Sequence, residues 1–472
     1  MTSQLQLLSD EQMRTFLAQG YLILQTDFSD AFHERLLGQL NEVYSKEGNP
    51  GNNLLPRIRE LRQVFDHKIV RGALTSVLGP NYMLHAHRHG HFNNSPKPGG
   101  WHKDSYWGYS YTRHLRPWWA MIMYFPQDTP LELGPTGVMP GTQYYESRTF
   151  AGDEHEAEAK ASGKAGTFAL IHYDIWHRST ANTAGKERYM LKFEFMRTEL
   201  PTAPSWDNRE REWRMPASLD PSVRRQEELW RESWHWLQGR GGVAAAVDGP
   251  AARVSELAAA LAGADEPAAL DAAYALAAQG EPGRAALLAA LHGEAKQASR
   301  CAAYGLAVAG PQAVPGLIAA LGAEREQTAA YAAFALGEQG AAAAEEAVGP
   351  LAAKLGDASA VVRCAAVEAL GCIGAGGAAG AAHVAALADA LGDENAQVRF
   401  TAGLALCKLG AAAEAAVPAL VRAMEDDNRY VRAHAAEALY YIGTEQAKDA
   451  LLEFLRGARW CPSTTPASTF YP

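Results

Sequence analysis

The chain has 472 residues, of which 48% are hydrophobic and 20% are charged, and its formal net charge is −10. One hydrophobic core does not grow to this size, so we expect at least two domains. The acidic balance argues against a protein that binds nucleic acid or an anionic membrane surface by neutralising phosphates. We also expect no membrane-spanning helix and no signal peptide, because we find no apolar run of about 18 residues and no basic-then-apolar start.

The cysteines argue against a disulfide framework or a zinc ribbon. They are odd in number, scattered, and never spaced as Cys-x-x-Cys: Cys301, Cys364, Cys372, Cys407 and Cys461. This usage favours a reducing, cytoplasmic location.

The first 240 residues begin with helical patterns and continue as short strands. Ser9 and Gln12 form a capping box that opens a helix ending near Gly20, and a strand over 21–24 and a helix over 30–44 follow. Short strand-like runs, separated by Pro, Gly and Asn, come next: 82–92, 118–125, 138–139, 167–171 and 189–195. This order predicts a double-stranded β-helix, or jelly roll, with flanking helices.

Two His-x-Asp triplets lie among these strands, His102/Asp104 and His172/Asp174. Non-haem iron oxygenases hold Fe(II) with two histidines and one carboxylate. Residues two apart on a strand point to the same side, so such a triplet supplies two ligands, and a distant histidine has to supply the third.

The residues downstream distinguish the two triplets. His177 lies 75 residues after His102, and Arg188 follows eleven residues later, where it can pair with a carboxylate. The next histidine after the second triplet is His235, beyond the last predicted strand. We therefore predict that the first triplet and His177 form the metal site.

Five motifs carry a family resemblance over about residues 6–200. They are Trp101-His102-Lys-Asp104, Trp118-Trp-Ala-Met121, Leu133-Gly-Pro-Thr136, Pro140-Gly-Thr142 and His177-Arg-Ser179 followed by Arg188. With these motifs the region resembles the phytanoyl-CoA dioxygenase family of Fe(II)/2-oxoglutarate oxygenases. One departure is Gln143, where the family often has histidine after Pro-Gly-Ser.

The resemblance implies a site and an activity. By likeness to the family, His102, Asp104 and His177 bind iron, Arg188 and Ser179 hold the distal carboxylate of 2-oxoglutarate, and Trp118 lines the co-substrate pocket. The implied enzyme is a non-haem iron dioxygenase that uses O2, releases succinate and CO2, and hydroxylates a C–H bond of a small organic substrate. Hydroxylation is favoured because halogenating relatives lack the carboxylate that Asp104 provides.

Two further features of this region have open interpretations. His85, His87, His89 and His91 alternate along one predicted strand. We favour a polar wall of the pocket over a half-solvated strand face, and over a second metal site because no carboxylate accompanies them. The aromatic stretch 106–116 is either a loop that grips the substrate or a lid over the metal, and the sequence does not separate these alternatives.

The composition changes near residue 240. Ten of the eleven tryptophans lie at or before Trp236, and the sequence after residue 240 is dominated by alanine. We predict an oxygenase domain over 1–240, a linker over 241–250, a repeat region over 251–457 and a C-terminal tail over 458–472, which lies on the last repeat or is disordered.

The second half repeats about six times. A small residue and Leu precede a glycine at intervals of 30, 30, 34, 36 and 33 residues: Gly280, Gly310, Gly340, Gly374, Gly410 and Gly443. Each glycine is expected to supply a left-handed helix cap. The pattern resembles the HEAT-like repeats, and it predicts an all-α solenoid of stacked helix pairs.

Two details of the repeats bear on function. The last three copies carry an Asp six residues before an Arg, which predicts a structural ladder between repeats: Asp357/Arg363, Asp393/Arg399 and Asp426/Arg432. Some HEAT-like proteins hold two irons through histidines and carboxylates at several repeats. Here only His434 with Glu437 is comparable, so we reject that interpretation and expect His434 to be packed or solvated.

The sequence leaves two functions open. In the first, the oxygenase domain acts on a small molecule and the array is an accessory or scaffold. In the second, the array binds a protein, either as substrate of the oxygenase (a protein hydroxylase) or within a non-catalytic interaction scaffold. We favour the first, because alanine-rich repeats with few exposed aromatic residues make poor binding surfaces, and we expect no nucleic-acid or membrane partner.

Overall fold

The computed structural model describes residues 4–109, 112–152, 156–241, 250–377 and 379–457. The chain divides into two compact units, one of residues 1–105, 114–197 and 201–240, the other of residues 106–113, 198–200 and 241–472. The predicted fold class, a β-sheet region with flanking helices followed by an all-α repeat region, is confirmed. The predicted domain bounds keep 106–113 and 198–200 in the first domain, whereas their contacts place them in the second unit.

The helices of the first unit come mostly before its strands, as the sequence predicts. The capping box is present, since Ser9 accepts a hydrogen bond from the Gln12 backbone and the Gln12 side chain accepts one from Ser9. Gly20 ends the first helix at φ +80°, a left-handed conformation that glycine adopts without strain. The helices are α1 (Asp10–Gln19), α2 (Asp30–Glu47), α3 (Leu54–Arg57), α4 (Leu61–Asp66), α5 (Lys68–Leu78) and α6 (Glu227–Leu237).

Eight strands of the first unit form two antiparallel sheets. They are β1 (Tyr21–Gln25), β2 (Tyr82–Asn93), β3 (Trp119–Tyr124), β4 (Thr136–Val138), β5 (Ala159–Lys160), β6 (Thr167–His172), β7 (His177–Ser179) and β8 (Arg188–Arg197). The larger sheet has the order β1-β6-β3-β8-β2, and the smaller has the order β5-β4-β7. The three central strands of the larger sheet are buried along their whole length, and β3 and β6 are accordingly almost continuously apolar, whereas β8 also carries four charged residues.

The strand that carries the four alternating histidines is irregular. β2 pairs with β8, but the register shifts between Leu84 and Arg88, so His85 and His87 lie in a bulged stretch. Beyond it the pairing is regular, and it sets His89 opposite Lys192 and Asn93 opposite Arg188. β2 is an edge strand of the larger sheet, so one side of it has no neighbouring strand in that sheet.

The second unit contains thirteen described helices arranged as repeated pairs. They are α7 (Ala251–Leu261), α8 (Glu266–Ala277), α9 (Gly280–His292), α10 (Lys296–Val308), α11 (Val314–Leu321), α12 (Glu326–Gln339), α13 (Ala344–Ala353), α14 (Ala360–Gly374), α15 (Ala381–Ala390), α16 (Ala396–Leu409), α17 (Val417–Ala423), α18 (Arg429–Ile442) and α19 (Glu445–Gly457). The even-numbered helices from α8 to α18 pack against one another in chain order. Each pair thus buries a face against the next, as expected of a solenoid.

The prediction of left-handed helix caps is confirmed for Gly443, which ends α18 at φ +64° and ψ 7°, whereas Gly340 and Gly410 end their helices at ψ −130° and −139°. Five of the six repeat glycines have positive φ, but Gly374 is the last residue of α14, and Gly377 at φ +80° makes the turn instead. A Cβ atom on Gly374 would lie 2.3 Å from the Leu409 side chain. Glycine is needed there for close helix packing, so the prediction of a cap at this position is wrong.

The predicted Asp–Arg ladder is confirmed. The Arg363 guanidinium donates two hydrogen bonds to Asp393 of the next repeat, at 2.7 and 2.9 Å, and Arg399 does the same to Asp426, at 2.7 and 3.0 Å. Arg363 also donates to the Asp357 carbonyl of its own repeat at 3.0 Å. The ladder therefore fixes each repeat to its neighbour.

Residues 107–109 belong to the core of the second unit. Trp107 is buried against the rings of Phe400, Tyr430 and His434, with the nearest ring centroid at 4.7 Å, and Tyr109 is buried against Phe334 at 5.0 Å. These two rings are therefore packing residues, a role that neither interpretation of the stretch anticipated.

His434 itself is completely buried and donates a hydrogen bond from Nδ1 to the Phe400 carbonyl at 2.9 Å. The packed role expected for this histidine is confirmed.

One described helical stretch, Ala396–Ala423, is long and apolar enough to cross a membrane by composition alone. This corrects our expectation that no such run exists. The stretch consists of α16, a 3₁₀ turn and α17, and 56% of its most apolar window is buried inside the repeat unit. Packing between repeats accounts for its apolar character.

Candidate metal centre

A backbone pair brings the two predicted histidine ligands together. The His102 amide donates to the His177 carbonyl at 3.0 Å, and the His177 amide donates back to His102 at 3.0 Å. Directly opposed residues of an antiparallel pair place their side chains on the same side. The ring centroids lie 4.4 Å apart, and ligand atoms of His102, Asp104 and His177 all lie within 4.8 Å of one another.

Backbone carbonyls orient both imidazoles towards Asp104. The Nδ1 atom of His102 donates to the Gly100 carbonyl at 2.9 Å, and Nδ1 of His177 donates to the Ile175 carbonyl at 3.1 Å. The Nε2 atoms then face the carboxylate, at 3.9 Å for His102 and 3.2 Å for His177. Two imidazole Nε2 atoms beside one carboxylate form a donor set that fits a divalent first-row transition metal.

Lys192 is a member of this centre that the sequence analysis missed. Its ammonium donates to Oδ2 of Asp104 at 2.7 Å, and both side chains are about 95% buried or more. Burial alone raises the pKa of Asp104, but hydrogen bonds and charge from His177 and Lys192 outweigh this and hold the pKa well below its ordinary value. The available signal was a lysine within the apolar strand β8, where a buried charge needs a partner.

A second buried carboxylate continues the row of charges along β8. Glu194 lies 3.8 Å from the Lys192 ammonium and 3.3 Å from Nδ1 of His85, and it is fully buried. Burial lowers the pKa of His85 well below its ordinary value. His85 therefore belongs to the interior beside Glu194, whereas His91 lines the metal cavity, so the predicted polar wall holds for His91.

A cavity of about 140 Å³ adjoins the three ligands and is lined also by Arg188, Ser179 and Thr136. Arg188 is buried and donates from Nε and Nη2 to the Gly134 carbonyl, at 3.0 and 2.8 Å. Three buried polar atoms on the wall have no hydrogen-bond partner among the described residues: Nη1 of Arg188, Oγ1 of Thr136 and Nε2 of His91. Unsatisfied buried polar atoms are costly, so this cavity is built for a polar ligand.

Trp118, which was predicted to line the co-substrate pocket, is not among the residues that line this cavity. Its indole is buried between Trp236 and His114, with ring centroids at 5.8 and 5.7 Å. Met123 does line the cavity, and Trp118 stands five positions earlier. Side chains alternate along a strand, so an odd separation puts the two on opposite faces.

The second His-x-Asp triplet has a structural role in the first unit. His172 ends β6 and is buried, and its Nδ1 accepts a hydrogen bond from the Asp174 backbone at 3.2 Å. The Asp174 carboxylate accepts a hydrogen bond from Ser105, the neighbour of Asp104. This triplet thus supports the segment that carries the metal-binding carboxylate.

Comparisons with known proteins agree with the motifs. A family model described as phytanoyl-CoA dioxygenase (PhyH) matches residues 6–190, and a model of HEAT repeats matches residues 384–460. No curated protein sequence matches the chain.

Solved structures of non-haem oxygenases resemble part of the chain at low identity. The carbocyclase SnoK from nogalamycin biosynthesis is 19% identical, with 41% of this chain and 85% of that chain covered and a TM-score of 0.33. HygX from Streptomyces hygroscopicus with iron bound is 12% identical, with 45% and 95% covered and a TM-score of 0.35. Residues 6–190 are thus similar to the phytanoyl-CoA dioxygenase family, and residues 384–460 are similar to HEAT repeats.

Proposed function

We propose that the protein is an Fe(II)- and 2-oxoglutarate-dependent dioxygenase that hydroxylates a C–H bond of a small organic substrate. The match to the phytanoyl-CoA dioxygenase family supports an oxygenase. The observation that carries the proposal is the metal-ligand set His102, Asp104 and His177 on a cavity whose wall holds the unpaired Nη1 of Arg188.

His102, Asp104 and His177 are the residues that would hold the metal. Bound there, Fe(II) supplies the reaction of O2 with 2-oxoglutarate that yields succinate, CO2 and an oxidised substrate. The chain orients the ligands through the carbonyls of Gly100 and Ile175. Half of the His102 side chain is exposed while the other two ligands are buried, so the centre is open on the His102 side.

Arg188 would bind the distal carboxylate of 2-oxoglutarate. Its Nη1 donor is unused, and the hydroxyls of Ser179 and Thr136 line the same cavity. Burial lowers the pKa of Arg188 to about 10. A bound carboxylate stabilises the charged guanidinium and satisfies the remaining donor. Asp104 supplies the carboxylate that halogenating relatives lack, and its presence favours hydroxylation over halogenation.

The proposal is tested by metal and co-substrate binding together with turnover. The full chain is titrated with Fe(II) under anaerobic conditions, then with 2-oxoglutarate, and succinate is measured after O2 is admitted. His177→Ala is expected to abolish metal binding and succinate formation. His235→Ala is the matched control, since the alternative triplet would have required His235, and it is expected to leave both unchanged. Equal metal affinity in wild type and His177→Ala would refute the proposal.

The repeat region fits a scaffold better than a recruiting surface for protein substrates. Trp107 and Tyr109 of the chain itself occupy positions against Phe400, Tyr430 and Phe334 of the even-numbered helices. Such aromatic pockets are the sites where a partner would gain most of its binding energy. A reducing, cytoplasmic location belongs to the same proposal, since four buried cysteines are free thiols.

A further inference from the structure

A second and larger cavity lies beside the metal cavity in the first unit. It has a volume of about 650 Å³ and shares His91 and Phe92 with the metal cavity. Its walls come from α2, from the edge strand β2 and from the start of β8. A ligand bound there therefore lies next to the metal cavity, with the unpaired Nε2 of His91 on the wall that the two cavities share.

Three aromatic rings form one side of the larger cavity. Tyr44 and Phe92 are stacked with centroids 6.0 Å apart, and Tyr189 meets their edges at 5.0 and 5.7 Å. The tyrosine hydroxyls are already used, since Tyr44 donates to the Gly90 carbonyl at 2.8 Å and Tyr189 donates to Asn41 at 2.9 Å. Phe92 is 37% exposed, so its ring offers a flat apolar face to a ligand.

Uncharged polar groups and one carboxylate form the other side. Asn41, Ser45 and Asn49 are exposed and line the cavity, and so does Glu187, which is exposed as well. The oxygen of the Asn41 amide accepts a hydrogen bond from Tyr189, and no described residue engages its NH2 group, which can donate to a ligand. Planar amides and carboxylates can each pair with two neighbouring hydroxyl groups.

The lining excludes two common substrate classes. None of the described residues that line this cavity is lysine or arginine, so it lacks the cations that phosphates or carboxylates of a ligand need. An acyl-CoA thioester is therefore disfavoured. A long alkyl chain is disfavoured as well, because apolar rings cover only one side of the cavity.

We propose that this cavity binds the substrate of the oxygenase as a hydroxylated ring of the carbohydrate class, free or as a glycoside. The C–H face of the ring stacks on Phe92, the hydroxyls bind Asn41 and Glu187, and Nε2 of His91 forms a hydrogen bond with a hydroxyl at the border with the metal cavity. An amino sugar gains an additional ion pair with Glu187. The inference rests on the proposed oxygenase function, since it assigns the substrate class of that site.

The test uses the full chain loaded with Ni(II) and 2-oxoglutarate, so that no turnover occurs. Methyl glycosides of common hexoses, their 2-amino-2-deoxy counterparts and octanoyl-CoA are titrated by calorimetry and by saturation-transfer NMR. We expect glycosides to bind to the wild type, and we expect Phe92→Ala to weaken their binding about tenfold. Glu187→Gln is expected to weaken the binding of amino glycosides more than the binding of neutral glycosides. Ile23→Ala is the matched control, because Ile23 is 38% exposed on the opposite edge strand β1.

Two outcomes would overturn the inference. One is that no glycoside binds, with or without binding of octanoyl-CoA, and the other is that Phe92→Ala and Ile23→Ala affect glycosides equally. Binding of 2-oxoglutarate is measured in the same samples. If 2-oxoglutarate binds and glycosides do not, the substrate class is wrong and the oxygenase function stands. If glycosides bind through Phe92 while 2-oxoglutarate does not bind, the oxygenase function fails and the cavity assignment stands.

Discussion

Asp104 divides its two carboxylate oxygens between different neighbours. Oδ2 lies 2.7 Å from Lys192 and 3.2 Å from Nε2 of His177, whereas Oδ1 faces Nε2 of His102 at 3.9 Å. Oδ1 therefore lies on the side of the exposed histidine. Lys192 holds the carboxylate in this orientation, but its positive charge also opposes a divalent cation at the same place.

The two effects of Lys192 can be separated by Lys192→Met, which keeps the length of the side chain. The lost hydrogen bond to Asp104 is worth about 1.5–3 kcal/mol. A unit charge roughly 5 Å from a divalent cation repels it by several kcal/mol at an effective dielectric constant of about 20. This repulsion outweighs the lost hydrogen bond, so we expect Ni(II) to bind at least about tenfold more tightly to the variant, as measured by calorimetry.

The same substitution is expected to lower the stability of the metal-free protein, because Glu194 loses the ammonium 3.8 Å away and stays fully buried. Lys192→Arg is the control that keeps the charge, and its Ni(II) affinity should remain near that of the wild type. Weaker Ni(II) binding to Lys192→Met would mean that orientation of Asp104, and not charge, governs metal affinity.

Arg188 is expected to act on the co-substrate and not on the metal. Its guanidinium reaches Gly134 and the cavity but none of the three metal ligands in any described hydrogen bond. Arg188→Met should therefore weaken the binding of 2-oxoglutarate by 10²-fold or more, because a charge-assisted pair worth roughly 3 kcal/mol is lost. The affinity for Ni(II) should stay within a few-fold of the wild-type value. Ser179→Ala should weaken the binding of 2-oxoglutarate by about tenfold at most, because it removes one neutral hydrogen bond. Calorimetric titration of both ligands checks this, and a parallel loss of Ni(II) binding would contradict it.

The candidate site shows which residue positions a sequence can predict. The meeting of His102, Asp104, His177 and Arg188 at one cavity was predictable, because these side chains follow one another in the order and spacing of a known motif. Lys192 and Trp118 depend instead on which face of a strand meets which neighbour. That information lies in the pairing of Met123 with Lys192 across β3 and β8, a contact between distant segments that no local pattern encodes.

At the scale of single elements, the Asp–Arg ladder is the clearest source of pH-dependent stability. Burial raises the pKa of Asp426, but hydrogen bonds from Arg399 and the Asn428 backbone outweigh it and lower the pKa overall. A carboxylate with a lowered folded-state pKa stabilises the fold fully above its unfolded pKa, near 4, and loses that contribution as the pH falls further. The repeat unit should therefore weaken in acid.

Arg399→Met tests this contribution. Arg399 and Asp426 are only 14% and 12% exposed, so we expect a loss of about 1–3 kcal/mol in the free energy of unfolding at pH 7, measured with urea. The difference from wild type should shrink as the pH falls below about 4, where Asp426 becomes protonated. Arg456→Met is the control, because its ion pair with Glu453 is about 80% exposed and should contribute almost nothing. A difference that persists unchanged in acid would assign the effect to packing of the arginine stem.

Element boundaries were predictable where the backbone itself imposes a residue type. The capping box at Ser9, the left-handed cap at Gly443 and the positive φ of four other repeat glycines follow from local conformation. Gly374 was misassigned because its requirement comes from the Leu409 side chain of a later helix. The bulge in β2 likewise follows from pairing with β8, and it removes His85 from the alternation that the sequence suggested.

At the scale of the whole molecule, the chain passes between its two units five times, at 105/106, 113/114, 197/198, 200/201 and 240/241. A division into consecutive domains captures only the last of these. The two short excursions are held by specific contacts, since Trp107 and Tyr109 are buried among repeat helices and the Leu200 amide donates to the Ala375 carbonyl at 3.2 Å. Trp107 and Tyr109 are buried by the rings of Phe334, Phe400 and Tyr430, which lie more than 200 residues away in the sequence. The amino-acid composition around residue 107 therefore gave no sign of this burial.

These contacts predict that the chain stays together after it is cut within residues 242–249, part of the predicted linker, which lie outside the described residues. A protease site placed between Gly241 and Pro250 would yield an N-terminal fragment that still contains residues 106–113 and 198–200. Two buried aromatic side chains contribute roughly 2–3 kcal/mol each, with the backbone hydrogen bonds in addition, so the fragments should co-elute in gel filtration at about 10 µM. Trp107→Ala with Tyr109→Ala should release the fragments after cleavage, while the uncut double variant remains one species. Separate elution of the cleaved wild-type fragments would contradict this prediction. It would show that the aromatic contacts are too weak to hold the fragments together, and that they form in the intact chain because the covalent link raises the effective concentration of the two segments.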